Sequence, residues 1–185
     1  DKSHDWTDLR KLIPQMLLEG IMGYPFSCPD MIGGGQFTSF LNDSPIDQEL
    51  VVRSTQVHAL MPMMQFSVAP WRILDKKHFK AVLEAVDLRG EFKNIILGLA
   101  KEASSTGEPI VRSMEYVFPH KGYSKIKDQF MLGNDILIAP LLSKGIGSRK
   151  VVLPEGKWKS DMGKIYRGGV NIDIDVPLNR LPYFI

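Results

Sequence analysis

The chain has 185 residues, 44% hydrophobic and 24% charged, which fits a folded globular protein and excludes a disordered one. Its formal net charge of +2, with no long Lys/Arg run, argues against nucleic acid or an anionic membrane as a partner. Cys28 is the sole cysteine, so no internal disulfide can form, and no apolar run reaches the ~18–20 residues of a membrane span.

The first residues, Asp1-Lys2-Ser3-His4, lack an initiator Met and any signal-peptide pattern, and read as cut from something longer. From Thr7 to Glu19, Leu9, Leu12, Ile13, Met16 and Leu17 recur at helical spacing. Thr7 can cap this helix and Gly20 can end it, while Pro14 predicts a kink or a new first turn. Ile21 to Cys28 predicts a buried strand. Asp30 follows, with Gly33-Gly34-Gly35 close behind. A carboxylate at the end of an apolar stretch, then glycines, delivers a polar group to a sheet rim and leaves a ligand room to approach. Ser44 to Leu60 predicts a second helix, with Ser44 or Asp47 near its start. Met61 to Val68 predicts a second short strand, followed by the turn Ala69-Pro70-Trp71. Lys77 to Ser104 predicts a long helix, interrupted near Gly90 and closed by Ser105-Thr106-Gly107. This order is the α/β alternation of a parallel sheet.

After Gly107 the pattern changes to short strand candidates: Ile110–Phe118, Gln129–Leu132, Ile136–Leu142, Lys150–Leu153, Lys157–Ser160 and Val170–Val176. Turn sequences separate them, and Asn171 to Val176 alternates as a half-buried strand should. This half predicts an antiparallel sandwich of about six strands. The division falls at residues 1–106 and 107–185. Two strands and three helices cannot cover both faces of a parallel sheet, so the first half reads as the closing segment of a barrel begun upstream. The fold class is α/β plus all-β: the C-terminal part of a (β/α)8 barrel followed by an antiparallel β-sandwich.

Several runs, in this order, resemble glycoside hydrolase family 31 over nearly the whole chain. Asp1 through Asp5-Trp6 fits the family's Gly-Asp with a Trp five residues on, the Gly falling just before the chain begins. Pro25-Phe26 through Asp30-Met31-Ile32-Gly33-Gly34 fits a strand ending in Asp. Asp128 to Asp135 with Ala139-Pro140-Leu141-Leu142, and Arg149 to Trp158, resemble the family's C-terminal sandwich. Three further runs are similar to a subgroup of α-galactosidase-like enzymes: Gly23 to Phe26 with Pro29-Asp30-Met31, Met64 to Ser67 with Pro70-Trp71-Arg72, and Gly107 to Arg112. The common α-glucosidase pattern has Arg and His near Gln65 and in the segment after Glu108. No His stands at either place here.

The resemblance implies a retaining α-glycosidase acting on α-galactosides or α-glucosides without a cofactor. Retaining hydrolysis uses two carboxyl groups about 5–5.5 Å apart. Asp1 corresponds to the acid/base, whereas the nucleophilic Asp belongs to an earlier strand that the chain does not contain. The isolated chain is therefore expected to be inactive, its parent to hydrolyse a carbohydrate substrate.

The residues themselves carry competing readings. Asp30 is either a turn former bonded to the amides that follow or an acceptor for sugar hydroxyls. Gln65 can bond substrate or satisfy backbone. Trp71 and Phe66 can pack in a core or form a platform for a sugar's C–H face. Terminal residues such as Asp1 are most often solvated, Asp5 reads as a charge at a helix N-terminus, and Trp6 as a packing anchor. Met61-Pro62-Met63-Met64 reads as barrel interior. Gly33-Gly34-Gly35 lacks the Gly-Lys-Ser/Thr of a phosphate cradle, and the four histidines have no metal-ligand spacing. There is no Gly-x-Ser-x-Gly elbow. The rival function is a non-catalytic carbohydrate-binding or structural module built on the sandwich half, with Trp158 and Tyr166 as its aromatics, although these look more like strand-packing residues. An unfinished barrel would also expose apolar surface and favour self-association.

Overall fold

The computed structural model describes residues 5–33 and 46–185. Asp1, His4, Gly34, Gly35 and Ser44 lie outside the described residues.

Four helices make up most of the first half: α1 (Trp6–Ile21), α2 (Gln48–Ala59), the single turn α3 (Pro70–Ile73) and α4 (Lys76–Thr106). Asp5, not Thr7, caps α1, its carboxylate accepting from the amides of Thr7 and Asp8. The helix passes through Pro14 without a break and runs one residue beyond Gly20. Gly20 serves packing instead, since a Cβ there would meet Pro109 Cβ at 3.1 Å. Asp47 caps α2 through the Leu50 amide. α4 is continuous across Gly90 and ends at Gly107, whose φ of 79° closes it in the left-handed conformation.

The two expected strands of this half do not form as strands. Residues 22–31 are turns and irregular chain, and Ile21, Met22, Tyr24 and Phe26 are exposed. What exists is one parallel bridge, Ile32 to Phe66. Ile32 donates its amide to Gln65 O at 2.8 Å, and Ser67 donates to Ile32 O at 3.1 Å. A two-sided parallel strand needs neighbours on both edges, and among the described residues each segment has a partner on one. Met61 is buried, but Met63 is exposed.

The second half is built of eight short antiparallel strands: β1 (Val111–Arg112), β2 (Phe130–Leu132), β3 (Ile136–Ile138), β4 (Ser148–Leu153), β5 (Lys157–Lys159), β6 (Ile165–Arg167), β7 (Val170–Asp175) and β8 (Tyr183–Phe184). The expected strand at Ile110–Phe118 is instead β1 followed by the helical turn α5 (Met114–Val117), which Ser113 caps through the Tyr116 amide. β6 and β8 had no counterpart in the strand pattern. The sheets run β1-β2-β3-β8, β4-β7 and β5-β6. Lys159 and Ile185 exchange backbone hydrogen bonds, which joins β5 to the end of β8.

The principal core crosses the expected division of the chain. Leu9, Ile13 and Met16 of α1 and Val57 of α2 share one cluster with Phe92 of α4, Phe130, Ile138 and Leu181. A second cluster fills the strand region around Met131, Leu137, Val151, Trp158 and Phe184. Trp6 packs against the first cluster as an anchor and donates from Nε1 to Asp47 at 3.0 Å. Trp158 is buried, faces Tyr166 across β5-β6 and donates to Pro154 O, so it packs strands and does not present a binding face.

Candidate functional site

The chain leaves α1 through a turn in which Tyr24 donates to Glu19 O at 3.0 Å and Gly23 takes a φ of 91°. Pro29 is buried and Asp30 is exposed. Asp30 Oδ1 accepts the Met31 amide at 2.8 Å, which is the turn-forming contact; its second oxygen leaves acceptor capacity at the surface. Two residues later the bridge at Ile32 brings this segment beside Gln65 and Phe66. Asp30 and Gln65 therefore sit near each other on adjacent parallel segments. Gln65 uses its backbone oxygen for the bridge and keeps its side chain exposed.

Trp71 does not enter a core. It stands on α3 and is 69% exposed. Phe66 does pack, half-buried against Val52, Ala81 and Val82. The Ile32–Phe66 bridge thus sets the segments of Asp30 and Gln65 side by side, Trp71 stands exposed on α3 a few residues downstream, and Asp1 lies outside the described residues. A groove of about 680 Å³ runs between α1 and residues 140–149, and another of about 690 Å³ between α4 and residues 175–183. Neither is lined by Asp30, Gln65 or Trp71. Among the described residues, no group of three or more His, Cys, Asp or Glu could hold a metal ion, and no helix is long and apolar enough to cross a membrane.

Three side chains that the sequence reading passed over, the buried His58 and Arg53 and the half-buried Arg89, hold this edge in place. Arg89 of α4 donates to Ala59 O, Met61 O and Pro62 O at 2.8 to 3.0 Å, fixing the exit from α2 into the Gln65 segment. Burial pushes its guanidinium below the ordinary value, and the neighbouring Cys28 acts weakly the other way. His58 of α2 reaches Asp30 O at 2.6 Å and Ser54 O at 2.7 Å. Arg53, 2% exposed, donates to Val176 O at 2.9 Å, Pro177 O at 3.2 Å and Gln56 Oε1 at 3.0 Å. Gln56 donates in turn to Leu178 O at 2.7 Å. One helix thereby ties residues 176–178 to the Asp30 edge.

At the junction of the two halves, Arg112 donates to Pro109 O at 2.8 Å and to Asn134, and approaches Glu102 at 3.3 Å and Glu108 at 3.8 Å. The run Gly107 to Arg112 is thus anchored on both α4 and the β2-β3 turn.

Residues 107–185 match the Glycosyl hydrolase family 31 C-terminal domain. The myogenesis-regulating glycosidase of Mus musculus is 38% identical over 184 residues, which are 95% of this chain and 26% of that protein. An α-glucosidase of Saccharolobus solfataricus is 34% identical over 166 residues, 85% of this chain and 23% of its own length. The structure of a family 31 dextranase of Flavobacterium johnsoniae, complexed with glucose, superposes with a TM-score of 0.87 at 29% identity, covering 97% of this chain and 23% of the dextranase. The chain spans about a quarter of the length of these relatives.

Proposed function

We infer, from a chain whose residues 107–185 form a glycosyl hydrolase family 31 C-terminal domain, that it is the last part of a retaining α-glycosidase. In this reading residues 1–106 close a (β/α)8 barrel and residues 107–185 form a β-sandwich that buttresses it. The parallel bridge between Ile32 and Phe66 is the observation that carries the reading, because it sets Asp30 and Gln65 on neighbouring segments as adjoining barrel strands do. The exposed Ile21, Met22, Tyr24 and Phe26 are the apolar surface that earlier barrel elements of a parent would cover.

The chemistry is a double displacement. A carboxylate on an upstream strand attacks the anomeric carbon while the Asp1 carboxyl gives its proton to the departing glycosidic oxygen. Water then loses a proton to the Asp1 carboxylate and attacks the same carbon, which releases the enzyme's carboxylate. Asp30 accepts hydrogen bonds from vicinal sugar hydroxyls, Gln65 adds a neutral donor and acceptor, and Trp71 offers its ring to the C–H face of the sugar. No cofactor enters these steps. One catalytic carboxylate cannot complete them, so the isolated chain has no turnover.

Two assays test this together. Nitrophenyl α-galactoside and α-glucoside are offered to the parent and to the 185-residue chain; the parent alone is expected to release nitrophenol. In the parent, Asp30→Asn is expected to lower kcat/KM by roughly 10- to 100-fold, the loss of one or two charge-assisted hydrogen bonds. Turnover by the isolated chain, or an unaffected Asp30→Asn parent, would overturn the assignment.

A further inference from the structure

His58 is the only histidine among the described residues that is fully buried, at 1% exposed. Its two ring nitrogens face two backbone carbonyls, Nε2 toward Asp30 O at 2.6 Å and Nδ1 toward Ser54 O at 2.7 Å. Carbonyl oxygens only accept. A neutral imidazole has one N–H and one lone pair, so one contact at this distance would set lone pair against lone pair. The form that satisfies both is the imidazolium. Its place suits a cation, since His58 lies in the last turn of α2, where the helix presents its carbonyl end.

We propose that His58 is a positioning residue: as a doubly donating imidazolium it clamps the Asp30 carbonyl to α2 and so fixes where the Asp30 carboxylate points. The functional meaning rests on Asp30 binding sugar; the clamp itself does not. Three steps connect the two. The Asp30 peptide is held at its oxygen by His58, the Asp30 carboxylate is held by the next amide, and Ile32 then enters the bridge to Gln65. With no clamp, the two residues between the buried Pro29 and the bridge turn freely and the carboxylate loses its direction. Among the described residues, α2 also carries Glu49 and Arg53, the 22–33 segment carries Tyr24, Cys28 and Asp30, and α4 brings Arg89 to the carbonyls that follow His58, its other charged groups being at least partly exposed. Those on α1 (Asp8, Arg10, Lys11 and Glu19) are at least partly exposed.

The test uses the 185-residue chain and needs no sugar. A ring 15N spectrum assigned to His58 is expected to show hydrogen on both nitrogens at pH 7. As pH rises and that signature is lost, the protection factors of the Ile32 and Ser67 amides, corrected for the intrinsic rise of exchange with pH, are expected to fall about tenfold or more, the scale of a lost charge-assisted hydrogen bond. His58→Phe is expected to show the low protection at every pH, and His58→Gln, which keeps an amide donor, to restore part of it. If His58→Phe does not fold, the wild-type spectrum and exchange profile decide alone. A neutral ring at pH 7, or exchange at Ile32 and Ser67 that ignores the ring's protonation, overturns the proposal. An intact clamp in a chain whose parent does not need Asp30 would instead count against the sugar reading.

Discussion

The approach of Gly168 to the turn between β4 and β5 gives the sharpest stability prediction. A Cβ at Gly168 would lie 2.8 Å from the carbonyl carbon of Pro154 and 3.0 Å from Trp158 Nε1, and closer still to Pro154 O. The obstacle is backbone, which cannot rotate aside. To admit a methyl group the two segments must separate by an ångström or so. Two hydrogen bonds join the segments at that contact, Gly168 N to Gly156 O at 2.8 Å and Gly169 N to Leu153 O at 2.9 Å. At about 1 kcal/mol net each, Gly168→Ala should cost about 2 kcal/mol. For a chain of this size that is a fall in Tm of about 4–8 °C. Gly98→Ala is the control. It sits in the exposed middle of α4 with nothing within 4 Å of its Cβ, and should stabilise by ~0.5–1 kcal/mol. Urea unfolding of the three proteins measures both. A loss below about 1 kcal/mol at Gly168 would show that the two segments do not meet as described.

Arg53→Met should destabilise the chain by about 2–4 kcal/mol, because Val176 O and Pro177 O lose their buried donor while the cost of burying the cation is recovered; thermal unfolding reads it, and a neutral result would mean that the clasp is weak. Asp47→Asn keeps a good capping residue but removes the charge that pairs with Lys144 at 2.8 Å, and should cost up to about 1 kcal/mol at pH 7. Burial pushes the Asp47 carboxyl up, but hydrogen bonds from Lys144, Trp6 and the Leu50 amide outweigh it and hold the group below its ordinary value. A depressed carboxyl stabilises fully above its unfolded value, near pH 4, and that contribution disappears as pH falls through the lower folded value. The gap between wild type and Asp47→Asn should therefore be constant from pH 5 to 7 and close below about pH 4; a gap that persists at pH 2 would contradict the assignment.

Periodicity revealed the three long helices and most strands of the second half because each buries a regular face within the chain. α1 announces itself through Leu9, Leu12, Ile13, Met16 and Leu17, all of which are buried. The paired strands β4 and β7 were legible as Lys150–Leu153 and the alternation of Asn171 to Val176. The failures have local causes. Ile21 to Cys28 is apolar enough for a strand, yet pairing requires a neighbour, and in the described residues only Ile32 finds one. β8 was invisible because two residues carry no period, although its pairing with β3 is set by Leu137 and Ile138. Gly90 did not interrupt α4 because the helix holds its buried face, Ala81, Val82, Ala85, Phe92 and Ile96, through that point. At the edge, the place of Asp30 between an apolar run and glycines, and of Gln65 in the second run, marked the two segments that the Ile32–Phe66 bridge sets side by side. Their supports were not, since His58, Arg89 and Arg53 bond to backbone carbonyls that leave no mark on the sequence.

In the proposed mechanism a parent enzyme retains configuration at the anomeric carbon with the Asp1 carboxyl as its acid/base. The most direct measurement is proton NMR of the first sugar released from a nitrophenyl α-glycoside by the parent, repeated with Asp1→Asn. The α-anomer is expected first, with a rate at least about 100-fold lower in the variant, the scale of a lost general acid/base. First release of the β-anomer, or an Asp1→Asn parent as fast as wild type, would contradict it.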